Sequence, residues 1–106
     1  MSTKKTYYTK QSLATLDKIT QTPLTLGSLI GSIRQGEGMT QIEMARQLNM
    51  SRQQLCDIEH DRKNVSPKLA AQYADKLGYS QEQFVRLALQ NQVNQAGLDF
   101  VVEVTC

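Results

Sequence analysis

The side chains best suited to reading another molecule stand together at Arg52, Gln53, Gln54 and Asp57. Arginine offers a planar fork of donors that pairs bidentately with guanine O6 and N7. A glutamine amide does the same for adenine N6 and N7, and a carboxylate accepts from a cytosine amine. Such groups act only if one element presents them on one face. Ser51 supplies an N-cap and Gln54, three residues on, completes a capping box, so the spacing predicts a helix opening at Arg52. Leu55 and Ile58 turn inward, three apart. Arg52, Gln53, Cys56 and Asp57 fall at i, i+1, i+4 and i+5 and form the opposite, polar face. Asp57 is placed either against a base or against Arg52. Cys56 fits a thymine methyl, a phosphate or the role of a half-buried inert thiol.

A second helix must precede this one. Thr40 caps it and Glu43 closes a capping box. Ile42, Met44, Ala45 and Leu48 supply its apolar residues, with Ala45 small enough for a close helix crossing. Asn49 tolerates the left-handed conformation that ends a helix, which places a tight turn at Asn49-Met50. Gln41 sits at the helix N-terminus, where free N–H groups and the positive end of the dipole favour a phosphate. Thr40 and Ser51, the two caps, are further candidates for phosphate contact.

The stretch from Gly38 to Glu59 resembles the helix-turn-helix of the lambda-repressor/Cro-like (XRE) family. The matching residues are Gln41, Ala45, the Ser51-Arg52-Gln53-Gln54 opening and Glu59, and the likeness runs from Leu24 to Leu89, roughly two-thirds of the chain. It implies an all-α, five-helix lambda-repressor-like DNA-binding domain whose third helix enters the major groove. It implies that Arg62, Lys63, Asn64 and Lys68 form a loop gripping the DNA backbone. It also implies a structural ion pair between Arg34 and Glu59 that aims Arg34 at a phosphate, and whose stability contribution is small if exposed. His60-Asp61 stand where family members often carry a glycine. Partners implied are double-stranded DNA with a near-palindromic operator and a second copy of the chain, the half-sites lying about one helical turn apart.

The rest of the chain supplies the supporting elements. Leu26, Leu29, Ile30 and Ile33 predict a first helix from Leu24 or Thr25 to Gln35, stopped by Gly36 and Gly38. Ser66-Pro67 opens a fourth helix carrying Leu69, Ala70, Tyr73, Ala74 and Leu77, and Gly78 ends it. Ser80 and Gln83 read as a capping box for a fifth helix with Phe84, Val85, Leu87 and Ala88. The expected organisation is an N-terminal arm or short helix over 1–22, the helix-turn-helix domain over 23–92 and a tail over 93–106. Leu13, Leu16 and Ile19 recur at helical spacing in the first of these. In the tail, Phe100, Val101, Val102 and Val104 have strand composition. A lone strand cannot satisfy its own backbone, so these residues are assigned to dimerisation as a short C-terminal β-strand paired across a two-fold axis.

Composition narrows the classes. The net charge is +2 over 106 residues, so nucleic-acid binding must rest on a local patch rather than on bulk charge. Two cysteines and one histidine give no metal-ligand spacing, and free thiols suit a reducing cytoplasm. No apolar run is long enough for a membrane span. There is no nucleophile–base pair, carboxylate dyad or phosphate-cradling glycine loop, so neither an enzyme nor a cofactor is expected. The leading expectation is a site-specific transcriptional repressor. Within that class, a lone helix-turn-helix core with short arms favours an antitoxin that represses its own promoter and binds a toxin, by analogy with HipB-like antitoxins. A phage-type or stand-alone regulator accounts for the same residues, and a protein-interaction module without DNA binding is the rival from another class.

Overall fold

The computed structural model describes residues 24–105. The expected N-terminal arm or helix lies outside the described residues, as does Cys106. Five helices follow one another: α1 (Leu26–Gly36), α2 (Gln41–Gln47), α3 (Arg52–Glu59), α4 (Pro67–Leu77) and α5 (Gln81–Gln95). Each begins on a hydroxyl cap. Thr25, Thr40 and Ser51 form reciprocal boxes with Ser28, Glu43 and Gln54. Ser66 accepts from the Leu69 N–H ahead of Pro67. Ser80 accepts from the Gln83 N–H, but Gln83 does not reach back, so the box expected there is one-sided.

The helix ends share one device. Gly38, Asn49, Asp61, Gly78 and Gly97 all take positive φ. At each, the next N–H returns to a carbonyl one turn back, as from Met50 to Ala45 and from Arg62 to Asp57. This is the Schellman closure, which satisfies carbonyls the helix leaves open. Of His60-Asp61, it is Asp61 that takes the left-handed conformation, at φ +59°. Its Oδ2 accepts from the Thr25 hydroxyl at 3.0 Å, which ties the end of α3 to the start of α1.

All five helices contribute to one core, in which Phe84, Ile30, Met44, Leu48 and Leu55 are fully buried. Two of the apolar residues read on these helices, Ile42 and Leu69, are exposed. The 3.6-residue period carries them past the edge of the buried stripe. Ala45 is buried as a close crossing requires. A second close crossing is at Gly27, where a Cβ would overlap the Ile58 carbonyl oxygen.

The expected C-terminal strand is absent among the described residues: 98–105 form no helix, turn or strand. The physical reason is the one that made the strand need a partner. The described chain offers no second strand, and a side chain takes over two of the backbone groups. Gln90 Nε2 donates to the Phe100 carbonyl at 2.8 Å, and the Val102 N–H donates to Gln90 Oε1 at 2.7 Å. Val102 and Val104 are half-buried while Phe100 and Val101 are exposed, so the tail lies against α5 with one side covered.

Candidate nucleic-acid interface

The turn Leu48–Ser51 between α2 and α3 sets the site. Asn49 at φ +59° closes α2, and Ser51 caps α3 two residues later. Leu55 and Ile58 bury one side of α3. Arg52, Gln53 and Gln54 are exposed on the remainder, and Asp57 is half-exposed. The polar face expected from spacing is therefore the solvent face of a short helix anchored on both flanks.

A chain of hydrogen bonds fixes Arg52. On α1, Arg34 Nε donates to Glu59 Oε2 at 2.8 Å and Nη2 to Oε1 at 3.2 Å. Arg34 Nη1 donates to the Met39 carbonyl at 3.1 Å, so the guanidinium is consumed inside the protein rather than aimed outward. Gln41 Nε2 donates to Glu59 Oε1 at 3.1 Å, and Arg52 Nη1 donates to Gln41 Oε1 at 3.3 Å. A carboxylate can only accept, so Glu59 forces the Gln41 amide to turn its oxygen toward Arg52. The ion pair is largely covered: the Arg34 and Glu59 side chains are 15% and 7% exposed.

The second cluster centres on Asp57. Its Oδ1 accepts from Gln53 Nε2 at 3.1 Å and from Arg62 Nε at 3.1 Å, with Arg62 Nη2 at 3.0 Å. The hydrogen bond from Arg62 is the main cause that holds the Asp57 carboxyl below the usual carboxylate range, and it raises Arg62 in turn. Asp57 thus meets Gln53 and Arg62, not Arg52. Arg62 Nη2 also lies 3.5 Å from Cys56 Sγ.

The remaining candidates divide into free and committed groups. Lys63 and Lys68 are exposed, with no hydrogen bond or ion pair to another described residue. Thr40 and Ser51 spend their hydroxyl oxygens on caps, and their own N–H groups are taken by Glu43 at 2.8 Å and Gln54 at 2.9 Å. Gln54 therefore has its oxygen engaged at the cap, leaving only its amine to offer. Asn64 is committed on both atoms: Nδ2 donates to Gln95 at 2.8 Å and Oδ1 accepts from Asn91 at 2.9 Å. It clamps the α3–α4 loop to α5. Nothing in the sequence pattern marks that clamp, because the partners stand about thirty residues away and α5 reads only as a helix. Gln41 is seen as an orienting group for the same reason, its partners being set by the helix crossing, whereas Asp57 takes its partners from its own helix and the loop that follows.

A family model described as "Helix-turn-helix" matches residues 30–84, which span α2, the turn and α3. The chain is 40% identical over 55 residues to the immunity repressor protein of Bacillus phage phi105, an alignment covering 52% of this chain and 38% of that protein. The chain therefore spans about two-fifths of the length of that relative. No solved structure gives a significant match. With the matched span lying over the capped helix pair, the left-handed turn and the arginine-led face, the chain belongs to the lambda-repressor-like helix-turn-helix family.

Proposed function

We propose that this protein is a transcriptional repressor that binds a specific double-stranded DNA site through α3. The observation that carries the reading is the relay Arg34–Glu59–Gln41–Arg52, which holds an exposed arginine at the start of a solvent-facing helix. Arg52 and Gln53 are the base readers, and Gln41, with Arg62, Lys63 and Lys68, meets the backbone. Specific recognition needs more base contacts than one short helix offers. The functional unit is therefore a homodimer on a near-palindromic operator, with the tail residues Phe100, Val101, Val102 and Val104 contributing to the contact between copies.

Similarity to an immunity repressor favours a phage-type repressor over the antitoxin role expected from the bare architecture. The antitoxin reading keeps one support, the exposed apolar tail, and it requires a neighbouring reading frame that encodes a toxin.

The test is selection of bound sequences from a random duplex pool, followed by titration of the selected site and a scrambled one at two salt concentrations. Enrichment of a near-palindrome, with Arg52→Ala lowering its preference over the scrambled duplex, is expected. A chain that enriches no sequence and binds both duplexes equally would sink the reading.

A further inference from the structure

Resting on this DNA-reading role, we propose that Asp57 is a positioning residue that sets the sense of the Gln53 amide and thereby makes Gln53 a reader of adenine. Gln53 Nε2 stands 3.1 Å from Asp57 Oδ1, one turn along the same helix. An ionised carboxylate has no hydrogen to give, so the amide must present its NH2 group to Asp57 and its oxygen away from it. The amine keeps one hydrogen free. Gln53 thus offers outward one acceptor and one donor side by side, the complement of adenine N6 and N7. Guanine presents two acceptors, O6 and N7, and would meet the oxygen of Gln53 with an oxygen of its own.

Arg62 completes the arrangement. It faces the same Oδ1 atom from the α3–α4 loop at 3.0 Å, so the acidic group carries its own counter-charge on a surface that approaches phosphates. Asp57 is half-exposed and its Oδ2 accepts from none of the described residues. The carboxylate holds its two neighbours through one oxygen. Its role toward the base is indirect and differs from a direct contact with cytosine.

The experiment uses the full chain and its selected duplex. The base pair read by Gln53 is identified as the one whose preference Gln53→Ala abolishes. There, affinities for all four base pairs are measured for wild type, Asp57→Asn, Gln53→Ala and the double variant, with far-UV circular dichroism confirming the helices. Adenine is expected at that position in wild type. Asp57→Asn, which no longer forces the amide, should cut the adenine-over-guanine preference about tenfold. In the Gln53→Ala background it should change nothing. A wild-type preference for another base there overturns the inference. So does an Asp57→Asn profile equal to wild type, or an equal effect of Asp57→Asn with and without the Gln53 amide. A wild-type chain that selects no sequence at all overturns the DNA-reading itself, a distinguishable failure.

Discussion

Asp61 holds a positive φ, accepts from Thr25 at 3.0 Å and stands beside Gly27 at the start of α1. A non-glycine residue in the left-handed region costs about 1–2 kcal/mol, less for aspartate than for alanine. Asp61→Ala adds the difference between alanine and aspartate strain to the lost hydrogen bond, together about 1–2 kcal/mol. Asp61→Gly loses the hydrogen bond without the strain. Urea titration should therefore rank wild type above Asp61→Gly and Asp61→Gly above Asp61→Ala; equal losses for the two variants would count against the turn as the cause. The α3 face divides in the same atomic way. Arg52→Ala should remove about 1–3 kcal/mol at the selected site and relax one base position. Lys63→Ala or Lys68→Ala should weaken all duplexes alike and make the salt slope shallower by about one unit. The Asp57 carboxyl titrates below its ordinary range because Arg62 bonds it. A depressed value means the ionised contact is complete above the unfolded carboxyl value and is lost as pH falls through the folded one. Sequence preference should therefore stay flat across about pH 6 to 8, where carboxylates remain charged. The types and spacing of Arg52 and Gln53 were readable in the chain, because a cap followed by i, i+1, i+4 and i+5 fixes a face. The commitment of Gln54 to the Ser51 cap was readable from the same spacing, whereas that of Asn64 was not, since its partners on α5 stand about thirty residues away.

At the scale of the helices, four starts were legible because each rests on a hydroxyl and a local pattern, while the first was expected at Leu24 or Thr25 from its apolar stripe alone and opens at Leu26 on the Thr25 cap. The contacts between helices were legible only in part. Ala45 announces itself as small, but Gly27 reads equally as a flexible point until the Ile58 carbonyl is seen against it. Gly27→Ala forces α1 and α3 apart and should destabilise the fold by about 1–3 kcal/mol, read as a lower urea midpoint. Arg34 and Glu59 are the other joint between these helices. Their pairing came from family likeness, and their burial could not be foreseen from either residue alone. With both side chains largely covered, removing one leaves a charge unpaired at a cost of about 3–5 kcal/mol, whereas replacing both with apolar residues is often nearly neutral. Glu59→Leu should be far less stable than Arg34→Met/Glu59→Leu. The double variant, though folded, loses the acceptor that orients Gln41 and so should bind its site more weakly. Full DNA affinity in a stable double variant would show that the relay does not position Arg52.

At the scale of the whole molecule, the proposed dimer would require the two α3 helices to be spaced on one duplex. The tail was read as a strand because Phe100 to Val104 has strand composition, and composition cannot tell a strand from an extended segment bonded by a side chain. Gln90 holds Phe100 and Val102, while Leu98, Phe100 and Val101 are 48%, 65% and 71% exposed. Three large apolar side chains held at the surface on an ordered support favour a protein contact, and a second copy is the partner a two-fold operator calls for. If the tail joins the copies, a chain ending at Gly97 should sediment as a monomer at concentrations where the full chain is a dimer. Its helicity should be intact, and its affinity for a full operator should fall toward that for a half-site. Gln90→Leu is the milder version: it leaves every tail residue in place and removes only the two hydrogen bonds that hold it. It should raise the dimer dissociation constant by about tenfold, the loss of one to two net hydrogen bonds. A chain truncated at Gly97 that stays dimeric and binds the full operator normally would assign the contact between copies to the helical core, and leave the tail free for another partner.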